Sequence, residues 1–121
     1  MTIGSGSKFF SSGFDLNFWA KDRMNVFNSV LELQELQKRV LTLGIPTMCV
    51  FNGHSVAGGL LLGLTHDFRI MKKGPYVTSL PELNLGIPLN PGYTAVTKGA
   101  LEHHVAKLLG FGGKFSPEES L

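Results

Sequence analysis

Residues 48–64 constrain the fold more than any other stretch of this 121-residue chain. Met48-Cys49-Val50-Phe51 is an apolar run with the β-branched and aromatic content of a buried strand. Asn52-Gly53 is a turn pair, and Gly58-Gly59 opens the Leu-rich segment Leu60-Leu61-Leu62-Gly63-Leu64. A strand, a turn and a helix start in that order leave backbone N–H groups at the helix N-terminus without intrahelical acceptors. Those groups and the helix dipole favour negative charge beside them. Glycine has no Cβ, so a ligand oxygen can approach the backbone closely there. Two roles fit the Gly pair: half of an oxyanion hole, or a seat on which a helix packs tightly against a strand.

The flanking pattern predicts an alternating α/β arrangement. Lys8-Phe9-Phe10-Ser11-Ser12-Gly13 reads as a short buried strand entering a turn, with Asp15 placed to cap the helix that follows. From Trp19 to Leu43 the pattern is helical. Val26, Val30, Leu33, Leu36 and Val40 recur at three- and four-residue steps as one apolar face, while Glu32, Glu35, Lys38 and Arg39 point towards water. Gly44 and Pro46 stop that helix. Ile45–Phe51 is then a strand, and Asp67–Met71 alternates as a half-buried one. Lys72-Lys73-Gly74-Pro75 is a turn, and Tyr76–Thr78 is another short strand. Pro81–Pro88 is a mixed apolar loop holding one isolated carboxylate, Glu82. Helices are predicted over about Tyr93–Leu101 and Glu102–Leu109, and Ser116-Pro117-Glu118-Glu119 has the form of a helix start.

Composition narrows the function classes. At 121 residues, 43% hydrophobic and with nine Phe, the chain has enough apolar material for the core of one domain. A formal charge of +2 with no basic run argues against a nucleic-acid surface. No stretch approaches the roughly 20 apolar residues of a membrane span. The single Cys49 cannot form an intramolecular disulfide, which fits a reducing compartment, and its place in an apolar run makes it a core residue. The first seven residues lack a signal-peptide pattern, and Glu-Glu-Ser-Leu is not a peroxisomal address.

Three motifs in order carry a resemblance. They are Ser-Ser-Gly-Phe-Asp-Leu at 11–16, Asn-Gly-His-Ser-Val-Ala-Gly-Gly at 52–59 with Asp67 beyond it, and Pro-Glu-Leu-Asn-Leu-Gly-Ile at 81–87. Together they resemble the crotonase superfamily, the enoyl-CoA hydratases and isomerases. The resemblance implies a crotonase-like ββα spiral core. It also implies that residues 1–121 are a partial domain truncated at both ends, lacking the first strands and the C-terminal helices that complete the pocket and mediate trimer formation.

Carried over by position, the resemblance makes the backbone N–H groups of Phe14 and Gly58 the two sides of an oxyanion hole. Glu82 becomes the catalytic carboxylate. It places Ser12, Gly13, Asp15, Gly59, Leu61 and Pro88 around the substrate. The substrate implied is an acyl-CoA thioester, with no cofactor and no metal. Hydratases of the family use a second glutamate three residues after the oxyanion glycine, where this chain has Leu61. A double-bond shift needs one base, which takes a proton from C2 and returns it at C4. The sequence therefore looks most like a Δ3,Δ2-enoyl-CoA isomerase of unsaturated fatty-acid oxidation. The apolar neighbours Leu80, Leu83 and Leu85 would raise the pKa of a buried Glu82. The family implies a homotrimer and a peroxisomal or mitochondrial location.

Other residues offer less. His54 and His66 flank the central turn without a metal-ligand set, and His103-His104 reads as helix surface. Ser11 and Ser12 have no partnered His and acid. Lys8, Lys72 and Lys73 are either solvated or drawn to CoA phosphates. Two other functions remain open: a truncated relative that binds without turnover, and a different acyl-CoA reaction on the same scaffold.

Overall fold

Short strands come in pairs, and each pair runs on into helix. The computed structural model describes residues 1–120, apart from the side chains of His104 and Leu108. It begins with β1 (Thr2–Ile3) and β2 (Phe9–Ser11), then α1 (Leu16–Lys21) and α2 (Arg23–Leu41). β3 (Met48–Phe51) and β4 (His54–Val56) lead into α3 (Gly58–Gly63). β5 (Phe68–Met71) and β6 (Thr78–Ser79) precede α4 (Pro91–Ala100), and α5 (His103–Gly110) and β7 (Lys114–Phe115) follow. The first strands of the three pairs form a parallel sheet in the order β1-β3-β5. The second strands form another, β2-β4-β6, extended by an antiparallel β7. Each ββα turn thus adds one strand to each sheet, with helices as the crossovers that parallel pairing requires. This is the predicted ββα spiral.

The sequence pattern differs from the structure where short polar elements compete with it. The helix predicted from Trp19 to Leu43 is two helices, broken at Asp22, whose backbone is extended at φ −158° and ψ 136°. Its carboxylate accepts the Met24 N–H at 2.8 Å, so it caps α2 as Asp15 caps α1 through the N–H groups of Asn17 and Phe18. The Asn52-Gly53 turn leads first into β4 and only then into α3. Three residues are too few to show alternation. β4 is nonetheless central, its Ser55 N–H reaching Val77 O at 3.0 Å.

On α2 the buried stripe passes through Gln37, 3% exposed, rather than the predicted Leu36, 45% exposed. The Gln37 Nε2 donates to Leu61 O at 3.0 Å. That carbonyl lies near the end of the six-residue α3 and has no N–H four residues on, because Thr65 N–H turns to Leu62 O. β5 is also less buried than its alternation predicts, since it is an edge strand and its Phe68 and Ile70 face outward. The third short strand is Thr78–Ser79 rather than Tyr76–Thr78, a 3₁₀ turn (Leu83–Leu85) interrupts the predicted loop, and β7 was not expected. His103 is exposed as predicted, and the side chain of His104 lies outside the described residues.

The core lies between β3 and the helices, around Cys49, Phe51, Leu60, Leu61, Leu64, Leu80, Tyr93 and Leu109. Burial pushes the Cys49 thiol up to about 11, so this cysteine is inert packing. Two polar clamps hold the frame. Asp67 accepts the N–H and the hydroxyl of Thr47, both at 2.7 Å, which keeps its carboxyl below the usual range. His66 joins Thr2 Oγ1 at 2.8 Å to Leu62 O at 3.1 Å.

At the start of α3, Ala57 has φ 52° and ψ −130°, a conformation that costs a residue with a Cβ about 1–3 kcal/mol. Its N–H bonds to Ser79 O at 2.9 Å and its carbonyl accepts Leu61 N–H at 3.1 Å, so neighbours on both sides hold it there. Ala57→Gly is therefore expected to raise unfolding free energy by about 1 kcal/mol in urea titration. Gln37→Ala strands the Leu61 carbonyl and is expected to lower it by about 1–3 kcal/mol in the same measurement.

Candidate active site

Two turns far apart in sequence meet at their backbones. Gly13 has φ +90°, and a Cβ there would stand 3.0 Å from the nitrogen of Gly58 and 3.0 Å from the Cβ of Ala57. Only glycine fits that approach. Ser11 Oγ accepts the Gly13 N–H at 3.2 Å and sets the turn. Beyond it the Phe14 ring covers Gly58, where a Cβ would lie 3.3 Å from the ring, and it packs on Trp19 with centroids 4.7 Å apart. Among the described residues, no acceptor takes the backbone N–H of Phe14 or of Gly58.

These turns form one wall of a cavity of about 770 Å³. Of the residues predicted from sequence, Ser12, Gly13, Phe14 and Asp15 line it from the first turn, Gly58 and Leu61 from α3, and Glu82 and Pro88 from the segment after β6. Gly59 does not line it. A Cβ on Gly59 would come within 2.6 Å of the Ser11 carbonyl oxygen, so this glycine seats α3 on β2. The two roles weighed for the glycine pair therefore divide: Gly58 fronts the cavity and Gly59 packs. A second cavity, of about 520 Å³ between α5 and the C-terminal segment, is lined by Lys73 but by none of the nine residues predicted for the oxyanion hole, catalysis and substrate contact.

Glu82 is half-buried, its Oε2 is shielded without a hydrogen-bond partner, and burial raises its carboxyl above the ordinary range. Asp15, the other carboxylate in the wall, is committed to capping α1. Leu61, 1% exposed, occupies the wall where a second glutamate would stand in a hydratase-like pattern.

Sequence reasoning missed Trp19 and Tyr93. Trp19 lines the cavity with its indole nitrogen buried and unpaired. Tyr93 lines it from α4, 6% exposed, its phenol pushed up to about 12 first by burial and then by the charge of Glu82. Apolar periodicity placed Val26 and Val30 on an inward face, but nothing local marks that face as a cavity wall rather than core. His54 accepts the Val77 N–H through Nδ1 at 3.1 Å, with its ring between Phe9 and Tyr76. Lys8 and Lys72 are exposed and lie over the rings of Phe9 and Tyr76. Among the described residues no group of three or more His, Cys, Asp or Glu is placed to hold a metal ion, and no helix is long and apolar enough to cross a membrane.

Comparison with known proteins shows the family and the fold. The chain is 33% identical over 130 residues to the peroxisomal enoyl-CoA delta isomerase 2 of Arabidopsis thaliana, covering 100% of this chain and 53% of that protein. It is 33% identical over 115 residues to the mitochondrial enoyl-CoA delta isomerase 1 of Mus musculus, covering 93% and 40%. A crystal structure of an enoyl-CoA hydratase/isomerase family protein from Pseudomonas syringae superposes with a TM-score of 0.87 at 26% identity, over 91% of this chain and 48% of that one. The chain thus spans about half the length of the curated relatives it matches. The family model for enoyl-CoA hydratase/isomerase matches residues 1–121, and the chain belongs to that family.

Proposed function

We propose that the cavity binds an acyl-CoA thioester and shifts a 3-enoyl double bond to the 2-trans position. The observation that carries this reading is a single uncommitted carboxylate, Glu82, in a wall shared with the unpaired N–H groups of Phe14 and Gly58. Glu82 removes a proton from C2. The electron pair moves into a dienolate whose charge rests on the thioester oxygen, and the two N–H groups stabilise it there. The protonated Glu82 then delivers that proton to C4, and the double bond settles between C2 and C3. One proton leaves and returns, so no water and no cofactor takes part.

Leu61 supports isomerisation over hydration, because it leaves no second carboxylate to activate water. Val26, Val30, Leu85 and Leu89 supply an apolar wall for the acyl chain. The location proposed is the one carried in the relatives' names, peroxisome or mitochondrion, and the assembly proposed is the trimer that the family resemblance implies. A second reading, a binding module without turnover, draws on the outer face of the β1-β3-β5 sheet. There Ile3, Phe68 and Ile70 are 53%, 57% and 51% exposed, an apolar surface that suits a partner.

Supplying a 3-enoyl-CoA and following the 2-enoyl product separates the two. Glu82→Gln is expected to lower kcat by about 10²–10⁴-fold, and equal rates in both proteins remove Glu82 from the reaction. Only ionised Glu82 accepts a proton, and burial raises its pKa. The kcat/KM profile is therefore expected to climb with pH through a limb lying above the ordinary carboxylate range, and to be flat across that region in Glu82→Gln.

A further inference from the structure

Among the described residues, the cavity wall carries three titratable side chains, Asp15, Glu82 and Tyr93, and no Lys, Arg or His. Asp15 is committed to the N-terminus of α1. The elements that share the wall with Glu82 contribute Val26 and Val30 from α2, Gly58 and Leu61 from α3, and neutral polar groups in Ser12, the Trp19 indole N–H and Asn90, whose Oδ1 is committed to Tyr93 N–H and Gln34. Among the described residues, a charged Glu82 in this enclosure has no Lys, Arg or His in the wall with it, and its Oε2 has no donor. Its main chain is fixed, since its carbonyl accepts the N–H groups of Leu85 at 3.0 Å and Ile87 at 2.8 Å, whereas no hydrogen bond holds the Oε2 end of its side chain.

Tyr93 is fixed at the other end. Asn90 Oδ1 accepts its N–H at 2.9 Å and the Gln34 Nε2 at 3.0 Å, which pins the first turn of α4 against α2. The ring is buried, and the hydroxyl has one protein partner, Val30 O, at the long distance of 3.5 Å. Such a bond is weak, so the hydroxyl is free to donate elsewhere. Tyr93 and Glu82 line the same wall, and the charge of Glu82 adds to burial in raising the phenol's pKa.

We propose that Tyr93 is the positioning residue of the site: its hydroxyl donates to the Glu82 carboxylate when that group is ionised and falls back to the Val30 carbonyl when Glu82 carries the proton. This rests on the reading of Glu82 as the proton carrier. It supplies the unpartnered Oε2 of that carboxylate with a donor and fixes the orientation of the group. Tyr93 stays neutral throughout; only its hydrogen-bond acceptor changes.

Carbon-13 NMR of the glutamate carboxyls tests this without turnover, with Glu82 assigned by its absence in Glu82→Gln. Tyr93→Phe keeps the buried ring and removes one oxygen. Losing a donor to the charged form raises a carboxyl pKa. The Glu82 midpoint is expected about one unit higher in Tyr93→Phe, a tenfold change in proton affinity. The acid limb of kcat/KM should move by the same amount, with KM unchanged on the plateau. Equal midpoints overturn the role of Tyr93 and leave the isomerase reading standing. A shifted midpoint in a chain that turns over no 3-enoyl-CoA supports the Tyr93–Glu82 contact and removes the isomerase reading instead. If Tyr93→Phe does not fold, the Cζ resonance of Tyr93 in the unaltered protein decides. It is expected to inflect at the Glu82 midpoint, and a flat trace overturns the proposal.

Discussion

The approach of Gly13 to the nitrogen of Gly58 is the contact on which the cavity depends. A separation that excludes even a methyl group forces the turn after β2 against the start of α3, and neither turn holds its shape alone. The first is set by Ser11 Oγ on the Gly13 N–H and, beyond it, by the Asp15 cap that starts α1. The second is set by Ala57, kept at a positive φ by its bond to Ser79. Hydrogen bonds at the outer ends of both turns thus oppose the strain at their meeting point. Among the described residues, the N–H groups of Phe14 and Gly58 have no acceptors of their own at this contact.

The fold was legible where the chain writes its geometry locally. The Gly-Gly helix start and the Asp15 cap lie where the residues indicate, and so does the spiral order, which follows from the motifs. By contrast, α2 ends at Leu41 with Thr42 as its cap, before Gly44, and β3 begins at Met48 rather than Ile45. What was not legible depends on partners distant in sequence. Gln37 displaces Leu36 from the buried stripe because a short helix far along the chain offers a carbonyl with no donor. Asp22 breaks a helix that its neighbours favour, because a free carboxylate satisfies new N–H groups. β4 and β7 are too short to carry a period and exist by virtue of the strands beside them.

The site divides in the same way. Eight of the nine residues read from sequence face one cavity, because motif positions fix the turns that bear them. Gly59 does not, because neighbouring positions on a helix point in different directions, and its own faces Ser11. Trp19 and Tyr93 were missed since each sits in an ordinary helical context and reaches the cavity only through packing. The wall that results is apolar, with hydrogen-bonding capacity concentrated in backbone amides and a few neutral or acidic side chains. With no Lys, Arg or His among the described residues of the wall, where a charge sits is governed by how much water the wall excludes.

The spiral also separates length from alignment. Successive strands of one sheet lie side by side with Ser11 beside Ser55 and Ser55 beside Thr78, whatever the length of the connection that climbs between them. Residues added to the water-facing middle of a connecting helix lengthen an outer loop and leave these rungs level. One residue added within β4 turns Ser55 outward and carries Gly58 off its mark. The inner ladder takes up one extra residue at the irregularity between Phe9 and Ser11 of β2, and the pairings beyond it keep their register.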